Sequence, residues 1–147
     1  NIRNFKKRKL YFALTAIAGP VSNLILSFIF LLIANSINAI MYVTSSSSAV
    51  FGIAISFFSY TAMYNVMLAV FNLIPFPPLD GSRIFTMLLP DKIYYKILGY
   101  ERYFIYILWG LMIFCNNVLH FSPISLLTEI IFNAIYFVTS IPFAFIG

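Results

Sequence analysis

Charge is what this sequence has least of: four acidic and nine basic residues make up 9% of its 147 positions, against about a quarter in soluble domains. Cysteine occurs once, as Cys115 inside an apolar run, which excludes a disulfide framework and any cysteine-built metal centre. Histidine also occurs once, as His120. A catalytic zinc takes about three protein ligands, so these residues alone cannot build one. No secretory signal pattern can be read at the start. The sequence opens on Asn1 and not on Met, and further sequence upstream is expected. No internal repeat of the transporter kind is visible.

What is there is apolar. Hydrophobic residues make up 62% and the mean hydropathy is +0.96, and several runs reach the roughly 20 residues that cross a bilayer as a helix. In lipid a chain must satisfy its backbone within helices. The expected fold class is therefore all-α, a polytopic helical membrane protein of about four transmembrane helices. A net charge of +5 would hint at nucleic acid in a soluble protein. Here the lipid bilayer is the expected partner and nucleic acid is not, because the basic residues cluster at particular loops.

Arg3, Lys6, Lys7, Arg8 and Lys9 precede the first apolar residues and read as a cytoplasmic flank. Gly19-Pro20 then interrupts the short run Leu10 to Ala18. Proline suits the first turn of a helix, so a span is expected at about 20–43, with the preceding run as a short approach helix or an extended segment. Asn23 lies one turn into that span, with Ser27 a turn further on the same face. An amide there needs a partner, and a helix–helix hydrogen bond is the simplest one. The uncharged loop Ser45 to Ser48 leads to a second span at about 49–74, on which Asn65 and Asn72 share a face. Ser82 to Leu89 reads as a short helix stopped by Pro90. A mixed-charge stretch runs on to Arg102. Spans at about 103–119 and 124–146 follow, around a turn at His120-Phe121-Ser122-Pro123, the last containing Glu129 and Pro142. All of residues 1–147 are expected to form a single membrane domain. Basic residues lie before the first span and between the second and third, which places both ends and the Asp80 region on the cytoplasmic side.

The stretch Asn72-Leu73-Ile74-Pro75-Phe76-Pro77-Pro78-Leu79-Asp80-Gly81 breaks the second span. Prolines lack the N–H and fix φ, and the residues before them are pushed toward extended geometry. The helix should end near Ile74, and the chain should turn at Gly81. Bare backbone at membrane depth is tolerated only where protein or water covers it, and an ionisable residue there marks a functional site. Three roles are open for Asp80: a helix N-cap, an ion or proton relay, or a metal ligand.

A second stretch, Ala18-Gly19-Pro20-Val21-Ser22-Asn23-Leu24, goes with the first. Together they resemble the paired signatures of the site-2 protease family, intramembrane zinc metalloproteases, in its compact bacterial branch. There an AGPxxN stretch opens one core helix and an NxxPxxPLDG stretch ends the next. The basic approach segment and Leu98-Gly99-Tyr100-Glu101-Arg102-Tyr103 are also similar, so the resemblance runs from about Asn4 to Phe114 and leaves the last span matched only as an apolar helix.

The resemblance implies that Asp80 is the third zinc ligand. It implies that Asn23 and Asn72 stand near the active site, orienting substrate backbone or stabilising an oxyanion. The family's His-Glu-x-x-His helix, which supplies two histidine ligands and the general base, is absent here and is expected upstream, so no catalytic base is expected in this chain. The implied activity is hydrolysis of peptide bonds within or near transmembrane segments of membrane proteins, as regulated intramembrane proteolysis in a bacterial cell membrane, with the fragment alone inactive. Backbone carbonyls and N–H groups freed by the prolines would then be placed to pair with a substrate unwound into a strand. The reading from another class is a non-catalytic membrane protein, a pseudoprotease scaffold or small transporter subunit, in which Asp80 only caps or relays. Asparagine at position 80 separates the two, since it caps about as well as aspartate but does not replace a zinc ligand.

Overall fold

A computed structural model describes residues 2–45, 48–77, 79–87, 89–90, 93, 96, 99–117 and 122–145. Pro78 and the expected turn at His120 and Phe121 lie outside the described residues. Among those described, all regular structure is helical: α1 (Ile2–Val43), α2 (Ala49–Leu73), α3 (Asp80–Met87), α4 (Glu101–Asn117) and α5 (Pro123–Ser140), with a 3-10 turn at Ile141–Phe143. Three stretches are long and apolar enough to cross a membrane: Ala13–Val43, Ala49–Leu73 and Pro123–Phe143. The fourth apolar stretch, Arg102–Cys115, is about 21 Å long at 1.5 Å per residue, short of the roughly 30 Å of a hydrocarbon core. Large apolar side chains such as Tyr106, Trp109 and Phe137 stand more than half exposed. Such a surface suits lipid and not water, and the chain is an integral membrane protein.

α1 does not begin at Pro20 but runs unbroken through it for 42 residues. The ring removes one hydrogen bond, to the Ala16 carbonyl, and crowds that carbonyl, at a cost of about 3 kcal/mol. A full break in apolar surroundings would leave several backbone groups unsatisfied and cost more. The turn around the proline is also tightly packed: Ala13 and Ala16 are buried and Pro20 is fully so. At its other end α1 closes with Thr44 N–H donating to the Ile40 carbonyl at 2.9 Å, and Ser45 turns the chain with a positive φ of 49°. α2 stops at Leu73, next to where Pro75 requires it. Pro142 likewise converts the end of α5 into the 3-10 turn.

The chain divides into two compact units, one of Asn1–Val21 with Ala69–Ile124, the other of Ser22–Leu68 with Ser125–Gly147. In the second, Ser27, Leu31, Ala34 and Asn35 on α1 and Ala62 and Val66 on α2 are buried. Their three- and four-residue spacing puts each set on one helix face, and small residues on such faces let backbones approach closely. Phe30 and Phe58 stack with centroids 6.1 Å apart. A helix–helix hydrogen bond is made by Asn35, whose Nδ2 donates to Thr139 Oγ1 on α5 at 3.1 Å. The Thr139 hydroxyl in turn donates to the Tyr136 carbonyl at 3.0 Å. A double-mutant cycle of Asn35→Ala and Thr139→Val, read by unfolding in detergent or bicelles, is expected to give a coupling of about 0.6 kcal/mol and at most about 1.7. Strictly additive single effects would remove this bond from the account of stability.

Candidate metal and substrate site

The site is built on the corner that follows α2. Pro75, Pro77 and Pro78 have no N–H to give. The other amides of the corner are spent within it: Ile74 donates to Phe71 O at 3.2 Å, Phe76 to Ile74 O at 2.7 Å and Leu79 to Phe76 O at 2.9 Å. The corner is therefore closed on itself and rigid. Among the described residues, the N–H groups of Ile74, Phe76 and Leu79 are thus taken within the corner. Phe104 on α4 pins the corner from outside, edge-on to Phe76 with ring centroids 5.1 Å apart at 88°.

α3 starts directly at Asp80. Ser82 sends both its N–H and its hydroxyl to the Leu79 carbonyl, at 3.0 and 2.7 Å, so Leu79 holds the cap position. Asp80 is the first residue of α3. Its carboxylate still stands in the first turn, where the helix dipole favours negative charge. Gly81, buried, is the reason the helix can begin so abruptly. A Cβ there would lie 2.6 Å from the Ile74 carbonyl oxygen and closer still to the Leu73 carbonyl. Only glycine lets the first turn of α3 press onto the end of α2.

The two signature stretches meet at this carboxylate. Oδ2 of Asp80 lies 3.8 Å from where a Cβ on Gly19 would stand. The small-residue face of α1 thus leaves room for Asp80, and the steric roles of Gly19 and Gly81 are what sequence reasoning missed. The glycines themselves were visible; what each one meets was not. Gly19→Ala is expected to be tolerated, since 3.8 Å is ordinary contact. Gly19→Leu should push the carboxylate aside, and displacement of a reacting group by about 1 Å costs around 100-fold in rate. Turnover of a membrane substrate by the full-length protein measures this, and full activity in Gly19→Leu would mean that Asp80 needs no fixed position.

Asn72 is half-buried on the last turn of α2. Asn23, also half-buried, follows Gly19 by one turn and so continues its face of α1. Asn65 shares Asn72's face but donates its Nδ2 to the Thr61 carbonyl at 2.8 Å, which commits it to the helix. Among the described residues no group of three His, Cys, Asp or Glu side chains comes together.

Residues 34–114 match the family described as Peptidase family M50. That range holds the proline corner and Asp80, while Gly19 and Asn23 lie before it. Over 105 residues the chain is 42% identical to "Putative zinc metalloprotease YwhC" of Bacillus subtilis (strain 168), an alignment covering 70% of this chain and 46% of that protein. The chain therefore spans about half the length of this relative. No solved structure matches it.

Proposed function

This chain belongs to peptidase family M50, the site-2 protease family, and we propose that it forms the C-terminal part of an intramembrane zinc metalloprotease core. Its substrates would be transmembrane proteins, hydrolysed at peptide bonds within or near their membrane segments. The observation that carries this reading is the carboxylate of Asp80, held at the end of a rigid proline corner and against Gly19. A carboxylate is a proper zinc donor, and a catalytic site takes three protein ligands with an open fourth position. Asp80 fits as one of them. The other two, proposed as the histidines of a His-Glu-x-x-His helix, would come from outside these residues, and so would the general base. The 147 residues by themselves would then cleave nothing.

A bound zinc supplies a lowered pKa for coordinated water and polarisation of the scissile carbonyl. This chain's own residues do the rest by position. Asp80 is kept from swinging by the corner and by α1. The amides of Asn72 and Asn23 are assigned to substrate, donating N–H to a backbone carbonyl or to the oxyanion that develops from it. The corner's carbonyls accept from substrate N–H groups.

Basic residues flank the first span and follow the corner, so the Asp80 region is assigned to the cytoplasmic side of a bacterial membrane. The test is reconstitution of the full-length protein with a transmembrane substrate in liposomes. Cleavage is expected only with zinc and only near the cytoplasmic end of the substrate span. Cuts in the outer third would overturn the placement, and zinc-loaded protein that cleaves nothing would favour a scaffold.

A further inference from the structure

We infer that α5 carries a self-association seam, along which a second copy of this chain packs its own α5. The seam is the row Leu126, Glu129, Asn133 and Tyr136, spaced three, four and three residues apart. That spacing draws one straight stripe on a helix, and with it parallel helices interlock in membranes as they do in coiled coils. All four residues are exposed. The packed face of α5 lies elsewhere: Thr128 and Thr139, eleven residues apart and so on one line, are 1% and 0% exposed. The row stands about a third of a turn round from that line, at 100° per residue.

Depth is what sets this row apart. The span Pro123–Phe143 has 21 residues, which at 1.5 Å each come to about 30 Å and match a hydrocarbon core. Glu129 then lies about 9 Å inside and Asn133 about 15 Å inside, near the midplane. Among the described residues, neither side chain has a hydrogen-bond or ion-pair partner. Other amides of the same unit are spent within it, Asn35 on Thr139 and Asn65 on the Thr61 carbonyl. Lipid offers a carboxyl group or an amide no partner, and such groups in a span face protein or water. Whatever covers this row has to bring hydrogen-bond donors and acceptors to these two depths.

The row itself brings both. Copies of one chain insert in the same direction, so a twofold pair sets the two α5 helices parallel and each residue opposite its own equivalent. An amide is donor and acceptor in one group. Asn133 Nδ2 therefore donates one N–H to Oδ1 of the partner's Asn133, and receives the same in return. Side chains on a helix lean toward its N-terminus, which turns the second N–H toward the level of Glu129, where a carboxyl oxygen of the partner's Glu129 accepts it. Leu126 and Tyr136 add apolar contact on either side of this pair. An ordinary apolar span in the same place would leave both polar groups unpaired, so the match of donors and acceptors selects a second copy.

The test is the oligomeric state of the full-length protein, read by subunit counting in dilute proteoliposomes and by sedimentation in detergent. The unaltered protein is expected to be a dimer. Glu129→Leu together with Asn133→Leu is expected to raise its dissociation constant about 3- to 30-fold for each hydrogen bond lost. Thermal unfolding of the monomer should not suffer, because leucine suits a position that then faces lipid. With all other cysteines replaced by serine, Asn133→Cys is expected to form an oxidative cross-link between copies. Leu127→Cys, 50% exposed on another side of α5, should form none. A monomeric unaltered protein, a dimer just as tight in the double leucine variant, or equal cross-linking at both positions would overturn the seam. A monomer whose Asn133→Cys resists a lipid-soluble maleimide would also overturn it, and would assign the row to another segment of the same protein.

Discussion

Asp80→Asn in the full-length protein is expected to lose bound zinc and to lower substrate cleavage by about a thousandfold or more, with the fold intact. The size follows from what the carboxylate is proposed to do. Metal polarisation contributes several kcal/mol to the transition state, and each ~1.4 kcal/mol is a factor of ten in rate. The substitution keeps the shape of the side chain and removes its charge. For α3 this is a small change: Asp80 stands in the first turn, where a negative charge contributes about 0.3–1 kcal/mol. The Leu79 carbonyl takes both Ser82 bonds, and asparagine serves a helix start about as well as aspartate, so α3 keeps its first turn in the variant. Metal analysis, thermal unfolding in detergent and cleavage assays therefore move apart: zinc and turnover fall, and the melting temperature changes little. Near-native cleavage in Asp80→Asn would sink the ligand role and leave the carboxylate as a helix-terminal charge.

How much of this could be read beforehand depends on whether the deciding interaction is local. Pro75 ends α2 at Leu73 because proline acts on its own backbone and on the residue before it, and that was legible. Asp80 stood out for the same reason, as a charge at the end of a broken apolar run. Pro20 misled because the local preference for a first helical turn competes with the cost of opening a helix in lipid, and the second won. Among the described residues Asn35 pairs with Thr139 across helices, and no local pattern marked that amide. Nothing local says which amide faces another helix.

Gly81→Ala should be almost as damaging as loss of the carboxylate, although it adds only one methyl. Its Cβ would fall 2.6 Å from the Ile74 carbonyl oxygen and nearer still to the Leu73 carbonyl. These are backbone atoms of a corner already closed by three internal hydrogen bonds, so no side-chain rotation relieves them. Overpacking of this kind costs about 1–3 kcal/mol. The easier relief is for α3 to back away from α2, and Asp80 is the adjacent residue. A shift near 1 Å at a reacting group costs about 100-fold, so cleavage should fall by that order and zinc should be held less tightly. Gly110→Ala is the control. A Cβ there meets nothing within 4 Å, and replacing glycine inside a helix by alanine adds up to about 1 kcal/mol of stability. Cleavage, zinc retention and melting temperature of the two variants should move in opposite directions or not at all in Gly110→Ala. Equal behaviour of the pair would mean that the corner yields, and that the prolines do not fix the position of Asp80.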